Sequence, residues 1–326
     1  MTDVRKAETE NALECAIILD DWISKTKEMP RLFNKLKLEQ IIKEAIPSRE
    51  VWLICSPAKG YISLNQETLQ IMALYTAEPG NGLGKILLDS SNKIFGEYMI
   101  FIAEVGLNHN GNLDLAGELI KQAKLAGADI VKFQLGWRGL EGELNYIDED
   151  KLKTLRDWAD FYSIELMFSI FNKDAFALSK KIELKRYKIA SRTVIDDPAL
   201  VSQILQEGKE TFLSLGMWKE KELPFKEFKN VRYLWCKSEY PTLPWNLNDF
   251  PKSFIGSSFA GYSDHTIGIE VALMAISRGA EVIERHLTLD KSDSTIRDHV
   301  LSSTPDEFKL MVNLGRNLNK NLLLGV

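Results

Sequence analysis

The stretch IAEVGLNHNGNLDLAGELIKQAKLAGADIVKFQ, residues 102–134, contains the repeating unit of the fold. It opens with an apolar run of strand length and continues with apolar residues at helical spacing that stop at Gly127. A second apolar run of strand length closes it. A strand, an amphipathic helix and another strand indicate a βαβ unit, in which two parallel strands are joined by a crossover helix.

The same alternation continues to the end of the chain. Further apolar runs of strand length follow, with helical patterns between them: IELMFSIF, RYKIAS, ETFLSLGM, VRYLWCKS, FAGYSDHT and EVIERHLTL. Eight strand-then-helix units match the size and order of a closed (β/α)8 barrel, or TIM barrel. A doubly wound open sheet shows the same alternation, but no switch point interrupts the units. We therefore predict an α/β protein whose residues 98–326 form the barrel.

Composition argues against several classes of protein. The net charge is −5 and no run of five basic residues occurs, which argues against a nucleic-acid-binding surface. The longest apolar run is too short to span a bilayer, and the charged N-terminus MTDVRKAETE does not resemble a signal peptide. Cys15, Cys55 and Cys236 have no metal or redox spacing, so we interpret them as reduced packing residues. We expect a cytoplasmic protein that binds neither nucleic acid nor a membrane.

The predicted strands are polar at their C-terminal ends, where TIM barrels place their chemistry. These ends read AEVGLNHNG, VKFQ, YKIAS, LSLGM, CKSEYP, YSDHT and ERHLT. All four histidines, His109, His265, His286 and His299, fall at or just beyond such ends. Histidines on a solvated surface would scatter, so this distribution indicates a site at the barrel mouth.

Two lysines interrupt apolar strands. A buried ammonium group needs an anion, and Lys132 and Lys188 lie in the runs IVKF and YKIA. Ser191, Ser214 and Ser263 offer hydroxyl donors at other strand ends, beside the glycine turn of SLGM. Together these groups predict a cradle for a phosphate or a carboxylate.

The histidines His265 and His286 end neighbouring predicted strands, so their imidazoles can meet above the barrel. Two imidazoles with open positions suit a divalent transition metal that acts as a Lewis acid. Alternatively, one is a hydrogen-bonded core histidine and the other a general base. Glu104, a carboxylate in the apolar run FIAEVGL, could orient another group, act as a base for water, or pair with Lys132.

The two longest motifs carry a family resemblance. The opening stretch and GYSDHTIGIEVALMAISRGAEVIERHLTLD, followed by RDHVLSSTPDEF, resemble the first and last signatures of the sialic acid synthase family. YKIAS, LSLGM and CKSEYPT match in order between them, so the resemblance covers about residues 99–320. It implies that phosphoenolpyruvate condenses with an acylated amino-sugar aldehyde to give a nonulosonic acid and phosphate. It also implies a divalent metal, manganese or else magnesium, and we expect a homodimer.

The resemblance implies roles for individual residues. The phosphoenolpyruvate ligands would be Lys132, Gln134, Lys188, Ser191, Ser214, Ser238 and Ser263. The metal ligands would be His265 and His286, which with Glu104 make up the catalytic set. Glu104 would orient or deprotonate water. Asn108, Tyr240 and Asp298 would lie toward the sugar.

The sequence departs from the family mainly on the sugar side. After KIAS the family has a glutamate two residues beyond the serine, whereas this chain has Arg192 and Thr193 there. The family's STPF is replaced by SIFN at residues 169–172, which predicts the loss of a hydroxyl near the substrate carboxylate. The loop after VKFQ looks shorter, and the family's C-terminal antifreeze-like domain is expected to be missing. The sequence therefore does not identify the acceptor.

Residues 1–97 have a different pattern. VWLICSPAKGYISLN predicts two strands, and LQIMALYTAEPGNGLGKILLDSSNK predicts a strand, a glycine loop and a helix. This small α/β segment resembles part of the general-control-related N-acetyltransferase fold, whose loop at GLGK presents N–H groups to the pyrophosphate of acetyl-CoA. Pro79 stands where the family usually has a glutamine or arginine, and the later strands of that fold are lacking. We predict a truncated module with a structural role and no affinity for acetyl-CoA.

Two other functions fit parts of the sequence. A non-catalytic scaffold or regulator would keep the barrel without an acceptor site, and would release no phosphate from phosphoenolpyruvate with any aldehyde. An acetyltransferase–synthase fusion would bind acetyl-CoA within the first hundred residues.

Overall fold

The computed structural model describes the backbone of residues 3–6, 50–56, 60–65, 71–76 and 99–324, and the side chains of residues 99–319. The chain divides into two compact units, Met1–Tyr98 and Met99–Val326.

The first unit contains a four-stranded antiparallel sheet. Its strands, in the order β1-β2-β3-β4, are β1 (Asp3–Lys6), β2 (Glu50–Ser56), β3 (Gly60–Asn65) and β4 (Ile71–Thr76). Strands β2, β3 and β4 lie in the segments predicted as strands, whereas β1 lies in the charged N-terminus, where none was predicted. The predicted helix, the GLGK loop and Pro79 lie outside the described residues.

The second unit is a closed barrel of eight parallel strands. Its strands are β5 (Ile100–Gly106), β6 (Ile130–Leu135), β7 (Glu165–Ile170), β8 (Arg186–Ile189), β9 (Glu210–Ser214), β10 (Val231–Cys236), β11 (Phe259–Asp264) and β12 (Val282–His286). Each strand pairs with its neighbours in sequence, and β12 pairs with β5 to close the ring. The prediction of a TIM barrel is confirmed.

Helices cover the outside of the barrel. They are α1 (Leu113–Leu125), α2 (Glu149–Phe161), α3 (Lys173–Ser179), α4 (Ser191–Asp196), α5 (Pro198–Gln206), α6 (Glu270–Ser277) and α7 (Pro305–Leu324). Four of them begin after a capping side chain that accepts a hydrogen bond from the helix backbone: Asn112, Asp148, Asn172 and Asp197. These caps satisfy N–H groups that would otherwise lack partners, and so fix where the helices start.

Two of the eight predicted helical connections are wrong. The chain from β9 to β10 is irregular, and the chain from β10 to β11 contains one short turn of 3₁₀ helix at Pro244–Asn246. Pro224, Pro244 and Pro251 lie in these segments. Because proline donates no backbone hydrogen bond and clashes with the preceding turn, it interrupts a helical pattern.

The core has two parts. Outward-facing strand residues pack against the helices, while a smaller cluster fills the barrel itself: Ile100, Ile102, Ile130, Met167, Phe212, Leu234 and Val282. At Gly261 a Cβ atom would lie 1.9 Å from the carbonyl oxygen of Val282, so only glycine allows β11 and β12 to approach this closely. Among the described helices, none has the length and apolar character needed to cross a membrane.

Candidate active site

Strand alternation places a polar layer directly above the apolar barrel interior. Because side chains two apart share a face, Ile102 in β5 is followed inside the barrel by Glu104, and Ile130 in β6 by Lys132. The other strands follow the same rule. We call the resulting buried layer the floor, and it consists of Glu104, Lys132, Ser169, Lys188, Ser214, Ser263 and Glu284.

The lysine of β6 has a complete set of partners within the floor. Its Nζ atom lies 2.5 Å from Oε2 of Glu104 and 3.5 Å from Oε2 of Glu284. It also donates to the hydroxyl of Ser169 at 2.8 Å. Of the three roles considered for Glu104, pairing with Lys132 is thus confirmed, and the other two stay predictions.

The lysine of β8 lies beside the same carboxylate. Lys188 donates to Ser214 Oγ at 2.7 Å, and its Nζ lies 3.7 Å from Oε1 of Glu284. The hydroxyl of Ser263 donates to that same oxygen at 2.6 Å. Glu284 therefore joins both lysines.

Sequence reasoning missed Glu284. It lies in the apolar run VIERH, two residues before His286, so strand alternation puts both side chains on the inner face of β12. A carboxylate at an inward position of an apolar strand was the signal that could have identified it.

The floor charges shift one another's pKa values. Burial alone would raise the pKa of Glu284, but Lys132 and Lys188 lower it to about 2. Burial raises the pKa of Glu104 despite Lys132. Burial opposes the charge of Lys132, yet the two carboxylates raise its pKa. For Lys188, burial and then repulsion from Lys132 outweigh Glu284, so its pKa is lowered.

Three side chains form the wall near the end of β9. Ser191 Oγ accepts a hydrogen bond from the backbone N–H of Gly216 at 2.9 Å and lies 3.3 Å from Cys236 Sγ. A Cβ atom at Gly216 would lie 2.5 Å from Cys236 Sγ and 2.6 Å from Ser238 Oγ, so the turn of SLGM requires glycine. Cys236 is thus a cavity-lining residue as well as a packing residue, and burial raises the pKa of its thiol.

The histidines of β11 and β12 meet above the floor, as predicted. The ring centroids of His265 and His286 are 5.6 Å apart. His265 Nδ1 lies 2.9 Å from the carbonyl oxygen of Lys237, which can only accept, so the proton is on Nδ1 and the lone pair on Nε2. Burial and then His286 lower the pKa of His265 to about 4, and burial also lowers the pKa of His286. Both rings are therefore neutral near pH 7.

The imidazoles of His265 and His286 are suited to supply two ligands of a metal site. His286 Nδ1 is buried without a hydrogen-bond partner among the described residues, and a neutral imidazole nitrogen of this kind is able to bind a metal. No cluster of three or more potential metal-ligating side chains was found in the described part of the chain. A metal held by this pair would take its other ligands from substrate and water.

An open cavity of about 610 Å³ lies above the floor and the histidines. We call its outer lining the rim, which consists of Trp137, Arg138, Arg192, Tyr240, Arg297 and Asp298. The Tyr240 ring lies 4.2 Å from the His265 ring, and the Arg297 guanidinium lies 4.5 Å from the Tyr240 ring centroid. The cavity is bordered by every predicted site residue except one.

The exception is Asn108. Its side-chain amide is buried, where it donates to the carbonyl oxygen of Leu287 and to Ser302 Oγ, both at 2.9 Å. It does not line the cavity. In this position Asn108 ties the turn after β5 to the chain after β12, and it is not placed to contact a sugar.

Comparison with known proteins identifies the family. The NeuB family profile matches residues 142–325. An N,N′-diacetyllegionaminic acid synthase of Campylobacter jejuni is 32% identical over 264 residues, which cover 70% of this chain and 78% of that protein. A pseudaminic acid synthase of the same species is 34% identical over 259 residues, covering 69% and 75%. The chain belongs to the NeuB family.

A solved structure agrees with this assignment. The crystal structure of N-acetylneuraminic acid (sialic acid) synthetase from Leptospira borgpetersenii, in complex with citrate, matches with a TM-score of 0.63 and 29% identity. The match covers 69% of this chain and 85% of that one. The predicted resemblance to sialic acid synthases is confirmed, and the chain is an enzyme of the type that condenses phosphoenolpyruvate with a second substrate.

The structure shows where two departures from the family pattern lie, at residues 169–172 and 192–193. Ser169, which SIFN shares with STPF, accepts from Lys132 in the floor, whereas Ile170, at the position of the lost threonine, is buried in the core between strands and helices. Arg192 faces the cavity from the first turn of α4, with its guanidinium 5.8 Å from the Trp137 ring, whereas Thr193 is buried. Arg192 therefore changes the rim, and the floor keeps its serine.

The other two histidines of this NeuB-family chain anchor loops. His109 Nε2 lies 3.1 Å from Asn145 Oδ1, and the Asn145 amide donates to the carbonyl oxygens of Gln134 and Trp137. His299 lies 2.6 Å from Thr288 Oγ1 through Nδ1, and 3.0 Å from Asn110 Oδ1 through Nε2. The turn after β5 thus holds both the loop of Trp137 and the loop of Arg297.

Proposed function

We propose that this chain condenses phosphoenolpyruvate with the aldehyde of an acylated amino sugar, giving a nonulosonic acid and inorganic phosphate. The observation that carries the proposal is the floor, where two buried lysines and two buried glutamates open onto a cavity large enough for both substrates. A charge cluster of this kind at the C-terminal ends of barrel strands is placed for catalysis, because packing alone does not require it.

Phosphoenolpyruvate would bind across the floor. Lys132 and Lys188 would meet its negative charge, and hydrogen bonds would come from the neighbouring polar side chains: Gln134, Ser191, Ser214, Ser238 and Ser263. The lysine side chains are only 3% exposed, so their attraction for the anion is little screened by water. Ser214 accepts from Lys188, so its own proton stays available for the ligand, whereas Ser263 would give up its hydrogen bond to Glu284 to donate there.

The reaction forms one bond between carbons and breaks one between carbon and oxygen. The methylene carbon of phosphoenolpyruvate attacks the aldehyde carbon, and the aldehyde oxygen takes up a proton. Water adds at the former enol carbon and loses one proton to a base. The hydroxyl so formed loses its second proton to the departing phosphate as the keto group forms and phosphate leaves with the bridging oxygen. Glu104, whose pKa is raised by burial, is the candidate to accept the proton from water, since its carboxylate lies at the level of the phosphoenolpyruvate ligands.

A divalent metal, manganese or magnesium, would be held by His265 and His286. When bound there, it would act as a Lewis acid toward the aldehyde oxygen. His265 is prepared for this role by its bond to the Lys237 carbonyl, which turns its free nitrogen lone pair away from the backbone.

The acceptor would occupy the side of the cavity lined by Tyr240 and Asp298. Both border the cavity beside the histidines, so a sugar hydroxyl or amide can reach them while its aldehyde lies next to the metal ligands. A cytoplasmic location and a homodimer also stay predictions.

Phosphate release tests this proposal. The full chain is incubated with phosphoenolpyruvate, manganese and a panel of acylated hexosamines, and free phosphate is followed over time. We expect release with at least one acceptor and none without an acceptor. If no member of a broad panel, including neutral and anionic sugars, supports release, the scaffold hypothesis replaces the proposed function.

A further inference from the structure

Three arginines lie on the rim, each after a different strand. Arg138 follows β6, Arg192 follows β8 at the start of α4, and Arg297 follows β12. All three border the cavity and are exposed. They stand above a floor whose own charges already balance, because Lys132 and Lys188 face Glu104 and Glu284.

The rim carries a net positive charge. Among the described rim residues Asp298 is the one carboxylate, and it is paired with Arg297 at 3.2 Å. Arg138 and Arg192 have no carboxylate partner among the described residues. Arg192 instead lies against the face of Trp137, an arrangement that leaves its N–H donors free for a ligand.

Arg192 lies across the barrel from the histidine pair, and Arg138 lies between the two. In the closed order of strands, β8 is four positions from β12, and β6 is two positions from each of them. An acceptor whose aldehyde lies at His265 and His286 would therefore extend across the cavity toward Arg138 and Arg192. Phosphoenolpyruvate would bind on the floor, below the rim.

We propose that the acceptor carries an anionic group, a phosphate ester or a carboxylate, at the end remote from its aldehyde, and that Arg138 and Arg192 bind that group. The inference rests on the proposed function and specifies its second substrate. Planar guanidinium groups bind both kinds of anion through paired hydrogen bonds, which explains why arginines stand here.

The test compares three acceptors that differ at one position: an N-acylated hexosamine, its 6-phosphate and the corresponding 6-carboxylate. The catalytic efficiency kcat/KM is measured for the wild type, Arg138→Gln, Arg192→Gln and the double variant. Lys252→Gln, which changes an exposed cation outside the cavity, is the control. We expect Arg192→Gln to lower kcat/KM for the preferred anionic acceptor by about tenfold to 100-fold, and for the neutral sugar by less than about twofold. The preferred acceptor distinguishes phosphate from carboxylate.

A binding measurement keeps the inference testable if no acceptor turns over. The reduced, unreactive alditol of each sugar is titrated into the protein with phosphoenolpyruvate present, and heat is recorded. An anionic alditol should bind at least about tenfold more tightly than the neutral one, and this advantage should disappear in the double variant. Equal binding of neutral and anionic alditols contradicts the proposal. So does a rise in the KM for phosphoenolpyruvate with no change for the acceptor, because the arginines would then serve the first substrate.

Discussion

The floor and the rim are built from different parts of the same barrel. Floor residues belong to the strands, and the side chains of Glu104 and Lys132 are each 3% exposed and held by one another. Rim residues follow the strands, in loops and in the first turn of α4, and the side chain of Arg297 is 71% exposed. Floor side chains are thus fixed by the sheet, whereas rim side chains are set by loops that can change without altering the barrel.

Because of this difference, we expect phosphoenolpyruvate to contact the floor and the acceptor to contact the rim. A reactant that is the same throughout a family can be bound by groups fixed in the strands. The names of the relatives give different products, legionaminic and pseudaminic acids, and loops are where such a difference can be accommodated. The predictions below should therefore separate effects on phosphoenolpyruvate from effects on the acceptor.

The largest effect on turnover is expected at His265 and His286, which lie between the floor and the rim. His265→Ala and His286→Ala should each abolish metal-dependent turnover, because two ligands are too few for one to be lost. Phosphate release is measured with manganese over a range of concentrations, and circular dichroism checks the fold. The metal role of this pair is wrong if either variant keeps its response to manganese, or if the wild type is fully active in excess chelator.

Replacing the two floor lysines should change the stability of the protein to different extents but weaken phosphoenolpyruvate binding alike. Lys132 has a raised pKa, so its charge stabilises the fold at pH 7 and would cease to do so only as the pH rises above the unfolded value of 10.5. The pKa of Lys188 is lowered, so its charge costs stability throughout the neutral range. Lys132→Met should lower the free energy of unfolding by about 3 kcal/mol, since it leaves buried carboxylates unpaired. Lys188→Met should lower it by less, because Lys188 makes the longer contact with Glu284 and burial disfavours its own charge.

Both variants should weaken binding of phosphoenolpyruvate by about 2 kcal/mol or more. Urea unfolding at pH 7 gives the stabilities, and calorimetry gives the affinities. Each lysine is the control for the other, because both changes replace a buried ammonium with a thioether of similar length. Unchanged phosphoenolpyruvate affinity in Lys188→Met would remove that residue from the site, whereas equal destabilisation by the two changes would contradict the charge assignment.

A smaller effect is expected from the loop anchor at His299. His299→Phe removes the hydrogen bonds to Thr288 and Asn110 that hold the loop of Arg297 and Asp298. The KM for the acceptor should rise by about tenfold, with less than about twofold change in the KM for phosphoenolpyruvate. Ser202→Ala, which removes a hydroxyl hydrogen bond on the outer helix α5, should change neither. An equal rise in both KM values would show that the anchor does not act on the rim alone.

Strand alternation explains how far the sequence could predict the structure. Buried parallel strands read as apolar runs, so the barrel was predictable, and lysines and histidines within those runs indicated the site. Glu284 was missed because its carboxylate is compensated by lysines from β6 and β8, which are distant in sequence. Asn108 was misplaced because the positive φ of Gly106 turns the chain after β5, and sequence pattern does not show where the following amide points.

Rim geometry was less predictable than floor geometry for a related reason. Loop residues have no repeating period, so no pattern in the sequence predicts that Trp137, after β6, meets Arg192, after β8, across the intervening strand β7. The two irregular connections around β10 were also missed, since the expectation of a helix there came from the repeating unit and not from the residues of these segments.

The most direct test follows the bridging oxygen of phosphoenolpyruvate. The atom between the enol carbon and phosphorus is labelled with oxygen-18, the full chain is incubated with manganese and a competent acceptor, and both products are analysed by mass spectrometry. If the floor binds phosphoenolpyruvate for attack by its methylene carbon and addition of water, phosphate release depends on the acceptor, and the label appears in the phosphate. Label that stays with the organic product, or phosphate released at the same rate without an acceptor, would contradict cleavage between carbon and oxygen and with it the proposed reaction.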